Sequence, residues 1–276
     1  MAIHTVFSID DSLYHRWQAD LLAYSHKKVN QSGPLTRLYS GDGTPPAFDG
    51  DTVQTKPYSP HPTTHDDYLP YNRIGALREW LTDSPPAEKS LLVLDPDCVF
   101  LTAWTEPAER GRPIAHPIHA MSARMASNPE FLRRHGYSAE SVQAMGIPLL
   151  IDRDDLQALL PLYMQKTEEI RGDPVSRELV DWMSDMWGYA FAAADLGLRH
   201  ELRDLARWQM DDETDLPFIH YCYSSSSADG QWQWNKRTYE PWNPVPQPPS
   251  DVCQATVALI SLLNEFAGKQ EYRVLE

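Results

Sequence analysis

Leu91-Leu-Val-Leu-Asp95-Pro-Asp97-Cys-Val-Phe100 is the stretch on which the fold turns. Four apolar residues in a row read as a strand buried on both faces, the pattern of a parallel sheet covered by helices. Two carboxylates then follow at i and i+2, split by a proline. Pro96 fixes φ and has no N–H to give a ladder, so the strand ends there and the acids sit in a shaped turn. Buried aspartates need a partner or a cation. Oxygen donors alone suit a hard ion such as Mg²⁺ or Mn²⁺, which binds carboxylates together with substrate phosphates. The plain alternative is a capped turn with two solvated acids.

Upstream, Ile3 to Ile9 reads as a first strand and Asp10-Asp11-Ser12 as the cap of a helix over 12–29. Leu35 to Tyr39 reads as a second strand. Strand, helix, strand suggests a parallel α/β unit, whose ligands sit beyond the carboxyl ends of the strands. The loop at 8–12 and the turn at 95–97 are both such ends. Residues 44–70 are rich in Pro and His and show little pattern. His61 and His65 read there as loop residues, with a metal role the lesser reading. Tyr71-Asn72-Arg73 opens a helix, with Asn72 as its cap. Arg73 in its first turn opposes the helix dipole, as if answering an anion; an ordinary surface arginine is the alternative.

The chain has 276 residues, enough for one large domain or two small ones, and is 42% hydrophobic. Its formal net charge is −15, from 39 acids and 24 bases. Such a field repels polyphosphates, so an anionic ligand needs a local base or a metal. Cys98, Cys222 and Cys253 are too widely spaced for a disulfide framework or a Cys-rich zinc site. The N-terminus lacks the signal-peptide pattern, and no run approaches a membrane span; the expectation is a cytoplasmic protein in a reducing compartment. The 23 prolines cluster into loops at 45–70, 84–86 and 241–249.

Past Phe100 the sequence reads as irregular to about 125. A short strand at 146–151 and a helix from about Asp154 to Thr167 follow, with the charged run 166–173 as a solvated helix end. From Leu179 to Asp195, Leu179, Met183, Met186, Ala190 and Ala194 share one helical stripe. Asp185 lies at its edge, read as half-buried between Trp182 and Tyr189. Aromatic faces around an acid suit a sugar; an acid held at the rim of a core helix is the alternative. Phe218 to Tyr223 reads as a late strand, whose His220 either completes a metal site with Asp95 and Asp97 or is a satisfied core histidine. Lys236 and Arg237, directly after Trp232 and Trp234, suit a diphosphate, or form a surface pair. Asp251 caps the final helix, and Gly268 ends it.

Taken in order, these blocks resemble the plant hydroxyproline O-arabinosyltransferases and the peptidyl-serine α-galactosyltransferases. His4-Thr5 with the Asp-Ser pair after it is similar to the family's first strand and nucleotide loop. Tyr71-Asn72-Arg73 with Trp80-Leu81, Asp95-Pro96-Asp97, Lys166-Thr-Glu-Glu-Ile-Arg171, Trp182 to Ala194 with Gly197-Leu-Arg199-His200, Ile219-His220-Tyr221 and Trp234-Asn-Lys236-Arg237-Thr-Tyr239 match further blocks. The resemblance implies a single GT-A glycosyltransferase domain over 1–276, with a Rossmann-type nucleotide half at 1–100 and an acceptor half at 101–276. It implies a UDP-sugar donor, arabinose or galactose favoured, and Mn²⁺ or Mg²⁺ held by Asp95, Asp97 and His220. Thr5, Ser8, Asn72, Arg73, Lys236 and Arg237 would meet the nucleotide. Asp185 would serve the chemistry, as nucleophile or stabiliser, with retention at the anomeric carbon. Trp182, Tyr189 and Trp234 would line the sugar site.

The plant enzymes carry a membrane anchor for which this sequence has no counterpart. The expected acceptor is therefore a peptide, a small molecule or a hydroxymethylpyrimidine in DNA, with no obligatory protein partner. For DNA, Arg124, Arg133, Arg134 and His135 would line the groove. A non-catalytic sugar-nucleotide-binding module and a phosphate-transfer enzyme are the competing readings. The lack of a Gly-rich phosphate loop counts against the latter.

Overall fold

The computed structural model describes residues 2–208 and 215–269. The chain opens with β1 (Ile3–Asp10), α1 (Leu13–Lys28), β2 (Leu35–Ser40), β3 (Asp51–Thr55), α2 (Tyr71–Asp83), β4 (Ser90–Val93) and β5 (Cys98–Phe100). There follow β6 (Ile114–Pro117), α3 (His119–Ser127), α4 (Pro129–Arg134), β7 (Met145–Asp152), α5 (Arg153–Gly172), α6 (Pro174–Val180), a 3₁₀ turn at Asp181–Met183 and α7 (Ser184–Asp195). The last elements are β8 (Glu201–Leu202), β9 (Ala206–Trp208), β10 (Phe218–His220), β11 (Ser225–Ser226), β12 (Gln233–Trp234) and α8 (Gln254–Ala267).

The fold is α/β. A seven-stranded sheet runs β3-β2-β1-β4-β7-β6-β8. β3, β2, β1 and β4 are mutually parallel, and β7 is antiparallel to both its neighbours. Successive residues of the central strands feed opposite faces. Val6, Leu38, Leu91 and Val93 join a core with α2, α5 and α7, whereas Phe7, Ile9, Tyr39 and Leu92 join one with α1. That double burial is why these strands read as unbroken apolar runs. α8 packs outside α1, with Leu259, Ile260, Leu263 and Phe266 against Trp17, Leu21 and Tyr24. Strands come from both sides of residue 100, so the sheet crosses the expected boundary between halves.

Gly188 lets α7 lie tight against α5: a Cβ there would fall 2.1 Å from Thr167 Oγ1. A side chain at this position could not be accommodated without moving a helix.

Several local expectations give way. β3 is a parallel strand within the stretch read as patternless, and β6 and α3 lie within the span read as irregular. β3 escapes notice because, as a sheet edge, most of its residues are exposed or half-exposed. Asn72 does not cap α2; its Oδ1 accepts from the backbone N–H groups of Tyr58 and Ser59 at 2.6 and 2.9 Å, and so ties the Pro-rich loop to the helix. Asp251 does not cap α8 either, and accepts from Ala228 N at 2.6 Å. The stripe over 179–195 is not one helix. Asp181 takes φ +35° and breaks it into α6, the 3₁₀ turn and α7. The charged run 166–173 belongs to α5, where Arg171 is buried on Asp66 through two bonds of 2.8 Å.

Candidate active site

The turn after β4 is closed by a bond of 3.0 Å from Cys98 N to the Asp95 carbonyl, with Pro96 and Asp97 at its corner. β5 then pairs antiparallel with β10, His220 opposite Cys98, and Tyr221 N donates to the Asp97 carbonyl at 3.0 Å. That ladder delivers His220 to the acids: its Nε2 stands 3.2 Å from Asp97 Oδ1 and 3.8 Å from Asp95 Oδ2. The Trp208 ring lies beside the imidazole, centroids 5.2 Å apart.

The other oxygen of each acid is held by a base. Lys236, itself buried, donates to Asp97 Oδ2. Arg73 Nη1 donates to Asp95 Oδ1, and its Nη2 to Asp185 Oδ2. Burial drives the Asp97 carboxyl up, but His220 and Lys236 outweigh it and hold the group well below the usual carboxylate range. Burial pulls the other way on His220, and the Asp97 and Asp95 charges leave its pKa raised. Lys236 is likewise raised, Asp97 overcoming its desolvation.

Asp97, Cys98 and His220 also offer ligand atoms within 4.8 Å of one another. The Cys98 thiol is fully buried, burial pushes its pKa well up, and soft sulfur is a poor match for a hard cation. Asp95, whose Oδ2 already faces the imidazole, is the better third donor.

Asp185 corrects its expectation. It is 2% exposed and lies between Tyr68, Tyr163 and Arg73, not half-buried between Trp182 and Tyr189. Tyr68 Oη is 2.7 Å from its Oδ1 and also 2.7 Å from the Trp182 carbonyl, while Asp185 N donates to that hydroxyl at 3.1 Å. Tyr163 Oη is 3.4 Å from Oδ2. The broken helix explains the change: Trp182 falls in the 3₁₀ turn and points to solvent, 61% exposed. Tyr189 is buried, with its hydroxyl 2.7 Å from His200 Nε2. Trp234 is buried against Tyr221 and Tyr239. Neither offers an open face for a sugar.

The nucleotide residues divide. Arg73 and Lys236 are at the acid pair, and Arg237 is exposed one residue on. Asn72 is spent on the loop. Thr5 is fully buried in mid-strand, opposite Leu35 and Leu92. Ser8 is half-buried, two residues short of the strand end.

That end carries a cluster built on the Asp10-Asp11-Ser12 run, joined by His15 and Tyr39, which the sequence does not signal. Asp10 Oδ1 accepts from Ser12 N at 2.9 Å and faces His15 Nδ1 at 2.7 Å. Burial raises the Asp10 carboxyl, but His15 and Ser12 together hold it below its ordinary range. Tyr39 of β2 donates to Asp11 Oδ1 alongside. Of the expected cap Asp10-Asp11-Ser12, Ser12 is the residue that caps α1, accepting from His15 N. Tyr68 and Tyr163 had no readable signal, because they reach Asp185 from distant segments. Of the basic groove considered for DNA, Arg133 pairs with Glu130 at 2.8 Å, Arg134 with Asp173 at 3.4 Å, and His135 with Ser176 at 2.8 Å.

Residues 3–202 match the model of the hydroxyproline O-arabinosyltransferase family N-terminal domain. The chain is 33% identical over 220 residues to the peptidyl serine alpha-galactosyltransferase of Arabidopsis thaliana, covering 73% of this chain and 27% of that protein. It is 27% identical over 293 residues to hydroxyproline O-arabinosyltransferase RDN2 of Medicago truncatula, covering 96% of this chain and 80% of the relative. With hydroxyproline O-arabinosyltransferase 3 of Arabidopsis thaliana it shares 27% identity over 289 residues, covering 95% and 79%. It thus spans little more than a quarter of the first relative and most of the other two. The family match extends over well more than half of the sequence, and the chain belongs to the hydroxyproline O-arabinosyltransferase family.

Proposed function

We propose that the protein is a metal-dependent glycosyltransferase that moves a sugar from a UDP-sugar to a hydroxyl group of a peptide. The observation that carries this is the convergence of Asp97 Oδ1 and Asp95 Oδ2 on His220 Nε2 beside the carboxyl ends of β1 and β4. The relatives' names, for arabinosyl transfer to hydroxyproline and galactosyl transfer to peptidyl serine, support the transfer and the peptide acceptor. The β3-β2-β1-β4 order, with helices on both faces, supports a GT-A architecture.

The donor set fits a hard divalent cation, Mn²⁺ or Mg²⁺. Two carboxylate oxygens and one imidazole nitrogen are suitable chemistry. Their separations of 3.2 and 3.8 Å are close to the about 3 Å between adjacent ligands of an octahedron with bonds of about 2.1 Å. Such an ion, when bound, supplies positive charge for the diphosphate leaving group.

The protein's own side chains do the rest in this reading. Asp95, Asp97 and His220 hold the cation. Lys236, kept protonated by Asp97, adds fixed positive charge next to the departing diphosphate, and exposed Arg237 supplements it. Arg73 fixes the rotamer of Asp95. Asp185, with both oxygens engaged, is cast as the residue that positions Arg73. Retention at the anomeric carbon is part of the proposal, without a covalent bond to Asp185. The three free cysteines are in keeping with a reducing, cytoplasmic setting.

The same enclosure of Asp185 favours one competing reading, a sugar-nucleotide-binding module without turnover. A panel of UDP-sugars, including those of arabinofuranose and galactose, tests both. The expected outcome is a rise in melting temperature that needs Mn²⁺ and is lost in Asp95→Asn. Sugar transfer to a serine- or hydroxyproline-containing peptide should accompany it. Binding without transfer would favour the module, and no metal-dependent rise with any UDP-sugar would end both readings.

A further inference from the structure

The two ring nitrogens of His220 stand in different surroundings. Nε2 faces the acids, 3.2 Å from Asp97 Oδ1 and 3.8 Å from Asp95 Oδ2. Nδ1 is buried and has no hydrogen-bond partner among the described residues. A histidine that ligates a metal ordinarily donates from its second nitrogen to a carboxylate, a carbonyl or a water, and that bond fixes the ring's orientation. In His220 the protein supplies a different hold on the ring.

That hold is Trp208. β9 and β10 run parallel, with Trp208 in register with His220. Paired residues on neighbouring strands send their side chains to the same face of the sheet. The half-buried indole and the imidazole accordingly lie side by side, centroids 5.2 Å apart and planes 31° from parallel. Offset, near-stacked rings at this separation attract one another.

The indole is clamped in its turn. The His116 ring meets it edge-on at 5.8 Å and the Tyr223 ring at 5.5 Å, with planes at 69° and 72°. His116 is buried on β6, at a bulge where the register with β7 shifts between Ala115 and His116. A bulge re-aims a side chain, and here the re-aimed imidazole accepts from Leu205 N at 3.2 Å through Nδ1. Arg203 N donates to the Ala115 carbonyl at 3.1 Å, so the segment leading into β9 is tied to β6 at two points. Trp208 is thus anchored to the main sheet, whereas His220 is delivered by the pairing of β10 with β5. The two supports meet at the ring contact.

We propose that Trp208 is a positioning residue of the acid site: its indole takes the place that a second hydrogen bond ordinarily has, and holds the His220 imidazole with Nε2 turned to Asp97 and Asp95, ready for a divalent cation. His116 and Tyr223 keep the indole in place. The inference rests on the metal reading given above and adds to it what orients the histidine. A ring held in its binding orientation loses little freedom when the ion arrives, so the ring contact is worth affinity for the cation.

The test uses the full chain and Mn²⁺ alone, with the free ion counted by its electron paramagnetic resonance signal well below the melting temperature. Trp208→Leu keeps an apolar side chain but loses the flat face, and should weaken Mn²⁺ binding about tenfold. Trp208→Phe keeps a flat face and should stay within about threefold of the wild type. Tyr223→Ser changes a residue that is 46% exposed, so the fold is kept while the indole loosens, and binding should weaken about threefold. Melting curves without metal accompany each variant. An indole that only fills space would lower the melting temperature in Trp208→Leu and leave the Mn²⁺ affinity of the folded protein unchanged, and that result would overturn the proposal. So would equal losses in Trp208→Leu and Trp208→Phe, or a Tyr223→Ser protein that binds Mn²⁺ as the wild type does. A wild type that binds no Mn²⁺ would instead remove the metal reading beneath it.

Discussion

Asp185 holds Arg73 by one guanidinium nitrogen, and the other nitrogen of the same fork is what grips Asp95. A residue on α7 thus helps set the position of Asp95 without touching it. Asp185→Asn should lower metal affinity and the donor-dependent melting shift, while Asp185→Ala should also destabilise the fold by about 1.5–3 kcal/mol, since it takes one of two carboxylates from a largely enclosed cation. Mn²⁺ titration followed by tryptophan quenching, with Trp208 beside His220, reads the first effect, and urea unfolding the second. Unchanged Mn²⁺ affinity in Asp185→Asn would show that Arg73 does not depend on this carboxylate.

Lys236 and Arg237 are neighbours in sequence but not in environment. Lys236→Met leaves Asp97 with His220 alone and should cost about 3–5 kcal/mol. Arg237→Met changes an exposed position and should stay within about 0.5 kcal/mol. Parallel denaturation curves decide, and equal losses would contradict the burial of the pair at Asp97.

Acid should destabilise the protein well before its carboxylates are exhausted. Burial pushes His26 and His116 down to about 4 and His200 down to about 3. Once unfolded, each takes up a proton near its ordinary 6.5, so between 6.5 and 4 the unfolded chain binds more protons and stability falls as pH falls. Asp20, raised by burial to about 6, works in the opposite direction over about 4 to 6, but it is one group against three. Each unit of displacement is worth about 1.4 kcal/mol. Melting temperature should therefore drop from pH 7 to 4.5, and His200→Gln should flatten that slope. A flat profile in the wild type would count against the buried neutral imidazoles.

Gly188→Ala should cost at least about 1–3 kcal/mol, because its Cβ would meet Thr167 Oγ1 at 2.1 Å and Thr167 N at 2.9 Å. Thr167→Ala in the same chain should recover only part, since the backbone contact persists. Full recovery in calorimetry would place the whole clash on the hydroxyl.

What could be read from the sequence follows from how local the cause is. The strands of the central sheet announce themselves because Val6, Leu38, Leu91 and Val93 fill one buried face while Phe7, Tyr39 and Leu92 fill the other. The acids at Asp95 and Asp97 stand out because a proline ends their strand. His220 is suggestive only once a partner is imagined, since its role depends on a ladder with β5. Asp185 was misplaced because its surroundings are tertiary: Tyr68 comes from 117 residues away, in a loop without periodicity. The break at Asp181 was equally hidden, because the apolar spacing runs through it undisturbed.

The pairing of β5 with β10 has one more consequence, for the order in which the molecule can become competent. Asp97 and Lys236 are 139 residues apart, and His220 arrives on the same late segment. The match to the family's N-terminal domain stops at residue 202, before either arrives. Contacts of such long sequence separation are entropically the slowest to close. The first 202 residues hold all seven strands of the main sheet and both acids, but neither His220 nor Lys236. On the proposed function, a chain cut at that length would lack the imidazole and the buried lysine of the acid site, so the last quarter of the polypeptide would complete it.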